Sequence, residues 1–323
     1  MTMKKVFLAV LTIALVCAAH LPAIAELKKD FESDPAFSYD GKQVVYTERW
    51  GEFVPAKRAY VPQQQIWVMN IDGTSARNIT KDNLDHNPRF SPDGSKIVFT
   101  RSLDRINPYA DHDIWVVNAD GSGLKQITTT VEDESYPVFT ADGDGLLFIR
   151  SKVRSAGGQA VLLSLKDGIE RILVEMEYYA RQIIPTATGN GYAVICTRLD
   201  EMGKPATTPP NMSVAAFLPK DDTKLEQVFA PDVKVFEVSR IVTTTDGKIP
   251  MVILNDAGGE TVAGIFLVRG PQSTRVFKDL HSVSDISSTG RMVNTHSPIP
   301  GSKPGIWVYT FKTKKWTNIS RTP

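Results

Sequence analysis

Cysteine is almost missing from this chain. Its 323 residues include two, Cys17 and Cys196. Cys17 lies in an N-terminal stretch with the marks of a removable leader, which would leave Cys196 alone. No intrachain disulfide and no cysteine metal cluster then remains available. Cys196 follows the apolar run Tyr192-Ala193-Val194-Ile195, with no partner motif beside it, so a core thiol is expected rather than a nucleophile. Histidine is also scarce, with five in all. Beyond the leader these are His86, His112, His281 and His296. No G-x-S-x-G elbow, H-E-x-x-H pair, Walker loop or Rossmann fingerprint appears, so the common hydrolase, zincin and nucleotide-binding chemistries have no local signature.

Charge of one sign is missing too. The formal net charge is +1, and it becomes −1 once Lys4 and Lys5 leave with the leader. A protein that holds nucleic acid by counterion release would carry a basic excess, so nucleic acid is not expected as a partner. The apolar run Val6 to Ala19, of about 14 residues, falls short of the roughly 20 that span a bilayer. With Lys4 and Lys5 before it and Pro22-Ala23-Ile24-Ala25 after it, the run reads as a cleavable signal peptide over residues 1–25. Val16 stands where a lipoprotein would place a small residue before an acylated cysteine. The expected product is periplasmic or secreted, a monomer, and not membrane-spanning. With 42% hydrophobic and 23% charged residues, the chain can bury a sizeable core.

What the sequence does have is self-similarity. An 11-residue window recurs as FSYDGKQVVYT from Phe37, FSPDGSKIVFT from Phe90 and FTADGDGLLFI from Phe139. Fainter copies start at Pro185, Thr243 and Ile286. Their glycines, Gly41, Gly94, Gly143, Gly189, Gly247 and Gly290, fall at intervals of about 43 to 58 residues, too irregular for a solenoid of identical turns. Asp-Gly supplies the positive φ that a tight hairpin needs, between flanks that read as strands. A second hairpin closes each unit, clearest in QIWVMNIDGTSARNIT and DIWVVNADGSGLKQIT. Each unit therefore reads as four strands, a to d. One such sheet cannot bury both faces alone, whereas sheets packed radially cover one another. The expected fold is all-β: a six-bladed β-propeller with four-stranded antiparallel blades over 26–323, at about 32–80, 85–128, 134–173, 180–229, 235–277 and 282–320.

The segments FSPDGSKIVFT and DIWVVNADGSGLKQIT resemble the WD40-like PD40 repeat of TolB-like propellers. The likeness is specific over about Pro35 to Thr128 and fades after Leu173. It implies an envelope protein whose propeller binds a protein partner. The N-terminal α/β domain that precedes the propeller in TolB is not expected here, since the first unit starts within about ten residues of the cleavage site.

The short a–b and c–d turns fall on one face, and the longer b–c and d–a connections share the other. Any site is expected on that second face. Arg49, Arg101, Arg150 and Arg198 open four b–c connections. They read either as a basic ring for carboxylate or phosphate, or as structural partners of Asp82, Asp85, Glu132, Asp133 and Glu134, the weightier reading. The first b–c connection interleaves Trp50, Phe53 and Tyr60 with Lys57 and Arg58. That composition fits a protein-binding or sugar-stacking platform, or equally a local cluster over the blade; Tyr109, Tyr178 and Tyr179 extend either. Trp67, Trp115 and Trp307 share one slot in strand c and read as blade packing. Asp111-His112-Asp113 with His86 is the best constellation for a metal or a general base, although solvated loop charges are the commoner reading of such residues. No cofactor is required, and a divalent cation at His86, Asp111 and His112 is the one that would fit. Two functions follow: a non-catalytic scaffold binding a protein or cell-envelope component, or an enzyme acting on an anionic carbohydrate at the channel mouth.

Overall fold

The computed structural model describes residues 31–54, 59–81, 84–103, 111–151, 158–174, 178–186, 189–198, 214–221, 226–229, 237–243, 250–255, 264–269, 272–278, 283–287, 289–295 and 301–320. Among them there is no helix, and within each meander neighbouring strands are antiparallel and follow chain order. The first meander is β1 (Phe31–Phe37), β2 (Gln43–Val54), β3 (Ala59–Asn70) and β4 (Arg77–Asn78). The second is β5 (Leu84–Phe90), β6 (Lys96–Ser102), β7 (His112–Asn118) and β8 (Lys125–Gln126). One parallel bridge, Gln64 to Leu84, joins these two into a continuous sheet.

Four separate sheets follow. They are β9 (Asp133–Phe139) to β12 (Glu170–Ile172), with β10 (Gly145–Ser151) and β11 (Gln159–Ser164) between, and β13 (Tyr178–Pro185), β14 (Gly191–Arg198), β15 (Val214–Pro219) and β16 (Glu226–Phe229). Then come β17 (Glu237–Thr243), β18 (Pro250–Asn255), β19 (Gly264–Arg269) and β20 (Gln272–Lys278), and last β21 (Asp285–Ser287), β22 (Arg291–Asn294), β23 (Trp307–Thr310) and β24 (Lys315–Asn318).

The turns follow the local chemistry. Gly41, Gly94, Gly143, Gly189 and Gly290 all have positive φ, between 66° and 78°. In the second meander the Ser91 hydroxyl donates to Asp93 Oδ1 at 2.6 Å, and that oxygen accepts the Ser95 amide at 3.0 Å. These bonds, the Ser91 hydroxyl first, pull the Asp93 carboxyl down to about 2. Gly247 lies outside the described residues.

The core sits between consecutive sheets. Val45, Ile66 and Val68 of the first meander pack on Phe90, Ile97 and Phe99 of the second. The other face of the second, with Val98, Ile114 and Val116, packs on Leu146, Phe148 and Val161 of the third. Cys196 is buried in the next cluster with Val194 and Leu147, and burial pushes its thiol up to about 12. Trp115 and Trp67 lie against two of these clusters, and Trp307 is buried. The strands that open each sheet touch in the order β1, β5, β9, β13, β17, β21 and back to β1. They therefore line a common axis. The last sheet meets the first through Val293, Ile306 and Val308 against Phe37, Val44 and Tyr46, so the ring closes by packing. All four strands of that last sheet come from 285–318.

Candidate functional site at the long-connection face

The described part of the first b–c connection is paired strand rather than loop. Strands β2 and β3 run 12 residues each, against 7 for β6 and β7. Their pairing continues from Arg49 opposite Gln64 to Val54 opposite Ala59. A β-ribbon thus extends beyond the sheet, since aromatic and β-branched residues such as Phe53, Val54, Tyr60 and Val61 suit paired strands as well as a loop tip. Phe53 stands opposite Tyr60, and Trp50 opposite Gln63. Trp50 is half-buried. The side chains of Phe53 and Tyr60, and all of Lys57, Arg58 and Tyr109, lie outside the described residues, as do the side chains of Tyr178 and Tyr179.

The arginines do not share one register. Arg101 stands opposite Asp85 and Arg150 opposite Glu134, the same place in two successive sheets. Arg49 stands opposite Phe31, one residue further along, and Arg198 opposite Tyr178, two residues beyond the equivalent pair of Cys196 with Ala180. A one-residue offset turns a side chain to the other face of its sheet, so the Arg49 position faces away from the other three. Arg101 is buried and grips Asp85 with two bonds, Nε to Oδ1 at 2.6 Å and Nη2 to Oδ2 at 3.1 Å. Its guanidinium lies 4.4 Å from the centroid of the Trp115 ring. Burial pushes the Asp85 carboxyl above its usual range, with Arg101 pulling the other way. Arg150 donates to Glu134 at 2.9 Å and to both oxygens of Glu170 at 2.6 and 2.8 Å. Arg49 donates to Asp34 Oδ2 at 3.3 Å. The Arg198 side chain lies outside the described residues.

His86 on β5 and His112 at the start of β7 meet edge to face, with ring centroids 4.8 Å apart. The His112 Nδ1 sits 3.4 Å from Asp133 Oδ1, which also accepts the His112 amide at 3.1 Å. His86 is pushed down to about 4, first by burial and then by His112, with Asp34 opposing and Arg49 adding to the shift. Asp111 is exposed and left-handed, with φ of 60°. Among the described residues no group of three or more His, Cys, Asp or Glu side chains is placed to hold a metal ion. His281 and His296 lie outside the described residues. Three consecutive four-strand units thus contribute to one polar cluster: Asp34 and Arg49, His86 and His112, and Asp133.

No protein-family model matches the chain. The Tol-Pal system protein TolB of Francisella tularensis subsp. mediasiatica is 28% identical over 141 residues, 43% of this chain and 30% of that protein. The TolB of Francisella tularensis strain FSC 198 aligns over the same length at the same identity. The matched stretch therefore spans less than a third of these relatives. Among solved structures, the β-propeller domain of the Pyrococcus furiosus trilobed protease covers 92% of this chain and 97% of its own, with TM-score 0.57 and 14% identity. The fold is a TolB-like β-propeller.

TolB from Acinetobacter baumannii superposes with TM-score 0.53 at 15% identity, over 74% of this propeller and 51% of that chain. Oligogalacturonate lyase from Vibrio parahaemolyticus gives 0.58 at 12% identity, over 88% and 91%. At these identities the likeness carries the fold and leaves the function to the site.

The sequence reading missed a device at the axis. In β1, β5 and β9 the pairing slips between Ser33 and Ala36, between His86 and Arg89, and between Ser135 and Val138. Two residues there oppose one, which makes a β-bulge. The bulged pairs are Asp34-Pro35, Asn87-Pro88 and Tyr136-Pro137, and proline, which lacks an amide donor, fits where the ladder is already broken. The recurrence of X-Pro a few residues before each window was the available signal.

Proposed function

We propose that this protein is an exported six-bladed propeller, with four strands in each blade, that acts without catalysis as a scaffold for a protein partner of the cell envelope. Its blades are the units 32–80, 85–128, 134–173, 180–229, 235–277 and 282–320, and the leader 1–25 directs it to the periplasm or beyond. The likeness to TolB, a protein of the Tol-Pal system by name, supports the envelope setting.

The observation that carries this reading is the projecting β2–β3 ribbon with Trp50, Phe53 and Tyr60 along it. A paired ribbon is more pre-organised than an unpaired loop, so it loses less entropy when a partner packs on it. Leu103, Val131 and Tyr136 add exposed apolar surface at the same end, Val131 being 89% exposed. The test is affinity capture from envelope extract, beside a W50A/F53A/Y60A variant whose fold is checked by circular dichroism. A partner retained by the wild type and lost by the variant supports the reading. Equal retention by both, or a mature N-terminus that is not Glu26, counts against it.

A second reading, an enzyme (lyase or hydrolase) on an anionic carbohydrate, rests on the 4.8 Å contact of His86 with His112 near the axis. Turnover of a uronate oligosaccharide that is lost in His112→Ala would favour it.

A further inference from the structure

Asp34, Asn87 and Tyr136 have φ of 52°, 54° and 52°. Left-handed backbone is costly for any residue but glycine, and here it recurs at one register position in three successive strands lining the axis. Glycine would remove the strain at each, so the side chains are the feature retained at that cost. Two of them have no hydrogen bond that would explain it. Among the described residues neither the Asn87 carboxamide nor the Tyr136 hydroxyl has a hydrogen-bond partner, and Tyr136 is 48% exposed. Bulges re-aim side chains, and these three hold the same register position in β1, β5 and β9, strands that touch in that order.

Charges of both signs flank them: Arg89 donates to the Pro88 carbonyl at 2.7 Å beside Asn87, and acids lie in the chain on the Tyr136 side. Asp111 is exposed, Glu132 half-buried, and Asp133 sits against His112. Arg49 is engaged by Asp34, Arg101 by Asp85, and Arg150 by Glu134 and Glu170. The arc ends at the fourth sheet with Arg181, the extra residue where the pairing slips between Ala180 and Gln182.

We propose that Asp34, Asn87 and Tyr136 form one binding arc for a basic polypeptide segment of the partner. A lysine or arginine side chain lies over the Tyr136 ring, the Asn87 carboxamide pairs with a peptide group, and the acids on the Tyr136 side attract the cation. An aromatic face attracts an ammonium or guanidinium, and a carboxamide matches the donor and acceptor of a peptide bond. Those acids repel an oligouronate, which sets this occupant apart from the carbohydrate alternative. The inference rests on the protein-binding reading above and names the chemistry of its partner.

The experiment titrates the whole protein with N-acetyl-trilysine amide at low salt, with triglutamate and trigalacturonate as parallel probes. Tyr136→Gly and Asn87→Gly keep the left-handed backbone and remove the side chains. Each is expected to weaken trilysine binding about tenfold, the effect of a hot-spot residue, while the melting temperature holds or rises. Tyr136→Asn tolerates the same backbone and serves if the glycine variant fails to fold. The proposal is overturned if the wild type does not bind trilysine, if affinity survives both substitutions, or if trigalacturonate or triglutamate binds better. A partner captured through the β2–β3 ribbon alongside a failed trilysine titration would leave the scaffold reading standing and remove this inference alone. Trilysine binding with no ribbon-dependent partner would do the reverse.

Discussion

The Thr128 hydroxyl, at the end of the second sheet, donates a 3.0 Å hydrogen bond to the Glu134 carboxylate at the start of the third. The same oxygen accepts the Ile114 amide at 2.8 Å. One hydroxyl therefore relays from strand c of one sheet to strand a of the next. Thr80 repeats the arrangement, accepting the Ile66 amide at 3.0 Å and bonding Asp85. At the closing seam Ser320 accepts the Ile306 amide at 2.7 Å, and that amide also reaches Glu32 Oε2 at 3.3 Å. Neighbouring sheets are tied by buried polar bonds as well as apolar contact.

Thr128→Val is expected to destabilise the protein by about 1–3 kcal/mol, because it leaves a buried amide and a buried carboxylate short of a partner. Thr128→Ser should cost much less. Ser320→Ala should fall between them, since the Ile306 amide keeps Glu32. Urea unfolding of the three variants checks the order, and equal midpoints for Val and Ser would refute the relay.

His86 makes stability fall in mild acid. Its folded pKa, about 4, lies below the ordinary value of 6.5, so the unfolded chain binds the proton more readily between those limits. The stability tied to a neutral His86 is full above pH 6.5 and is lost as pH falls toward 4. His86→Gln should flatten the fall in melting temperature between pH 7 and pH 4. An unchanged slope would place the acid sensitivity elsewhere.

Asp113 has the opposite sign. Burial, then Glu134, raises its carboxyl to about 6, while Gln126 donates to its Oδ2 at 2.8 Å. A raised folded pKa means that the native state holds the proton more tightly, so the contribution is full below about pH 4 and lost as pH rises through 6. Asp113→Asn keeps an acceptor and removes the charge. It is expected to stabilise by about 1 kcal/mol at pH 8 and by nothing near pH 4, the figure being reduced for solvent screening. Melting curves at the two pH values decide it, and equal gains at both would count against the assignment.

The strand–turn–strand units were legible because local chemistry dictates them: Asp-Gly at Gly41, Gly94 and Gly143, and the repeated Ile-Trp of strand c. The site was less legible because it depends on register. Arg49 and Arg101 both follow a strand of similar pattern, yet one residue of offset puts them on opposite faces. Residues Arg49 to Gln64 carry Pro55 and Pro62, which favour a loop by local rules, while the pairing of Phe53 with Tyr60 is decided across the ribbon. The bulges escaped for a similar reason: a proline near a strand end looks like a boundary until the partner strand shows two residues facing one.

The Asp85–Arg101 pair separates the cost of burying charge from the benefit of pairing it. Asp85 is fully buried, and Arg101 fills the space between it and the Trp115 face. Arg101→Ala should cost about 3–5 kcal/mol, because it strands a buried carboxylate and empties the stacking site. Arg101→Lys should still cost about 2 kcal/mol, since an ammonium supplies neither the two-bond fork nor the stacked plane. The double variant D85L/R101M should return close to wild type, because matched apolar groups carry no desolvation cost at this seam. Denaturant unfolding of the single and double variants measures the coupling. If the double variant is as unstable as Arg101→Ala, the pair is holding the seam by its charges rather than offsetting the cost of burying them.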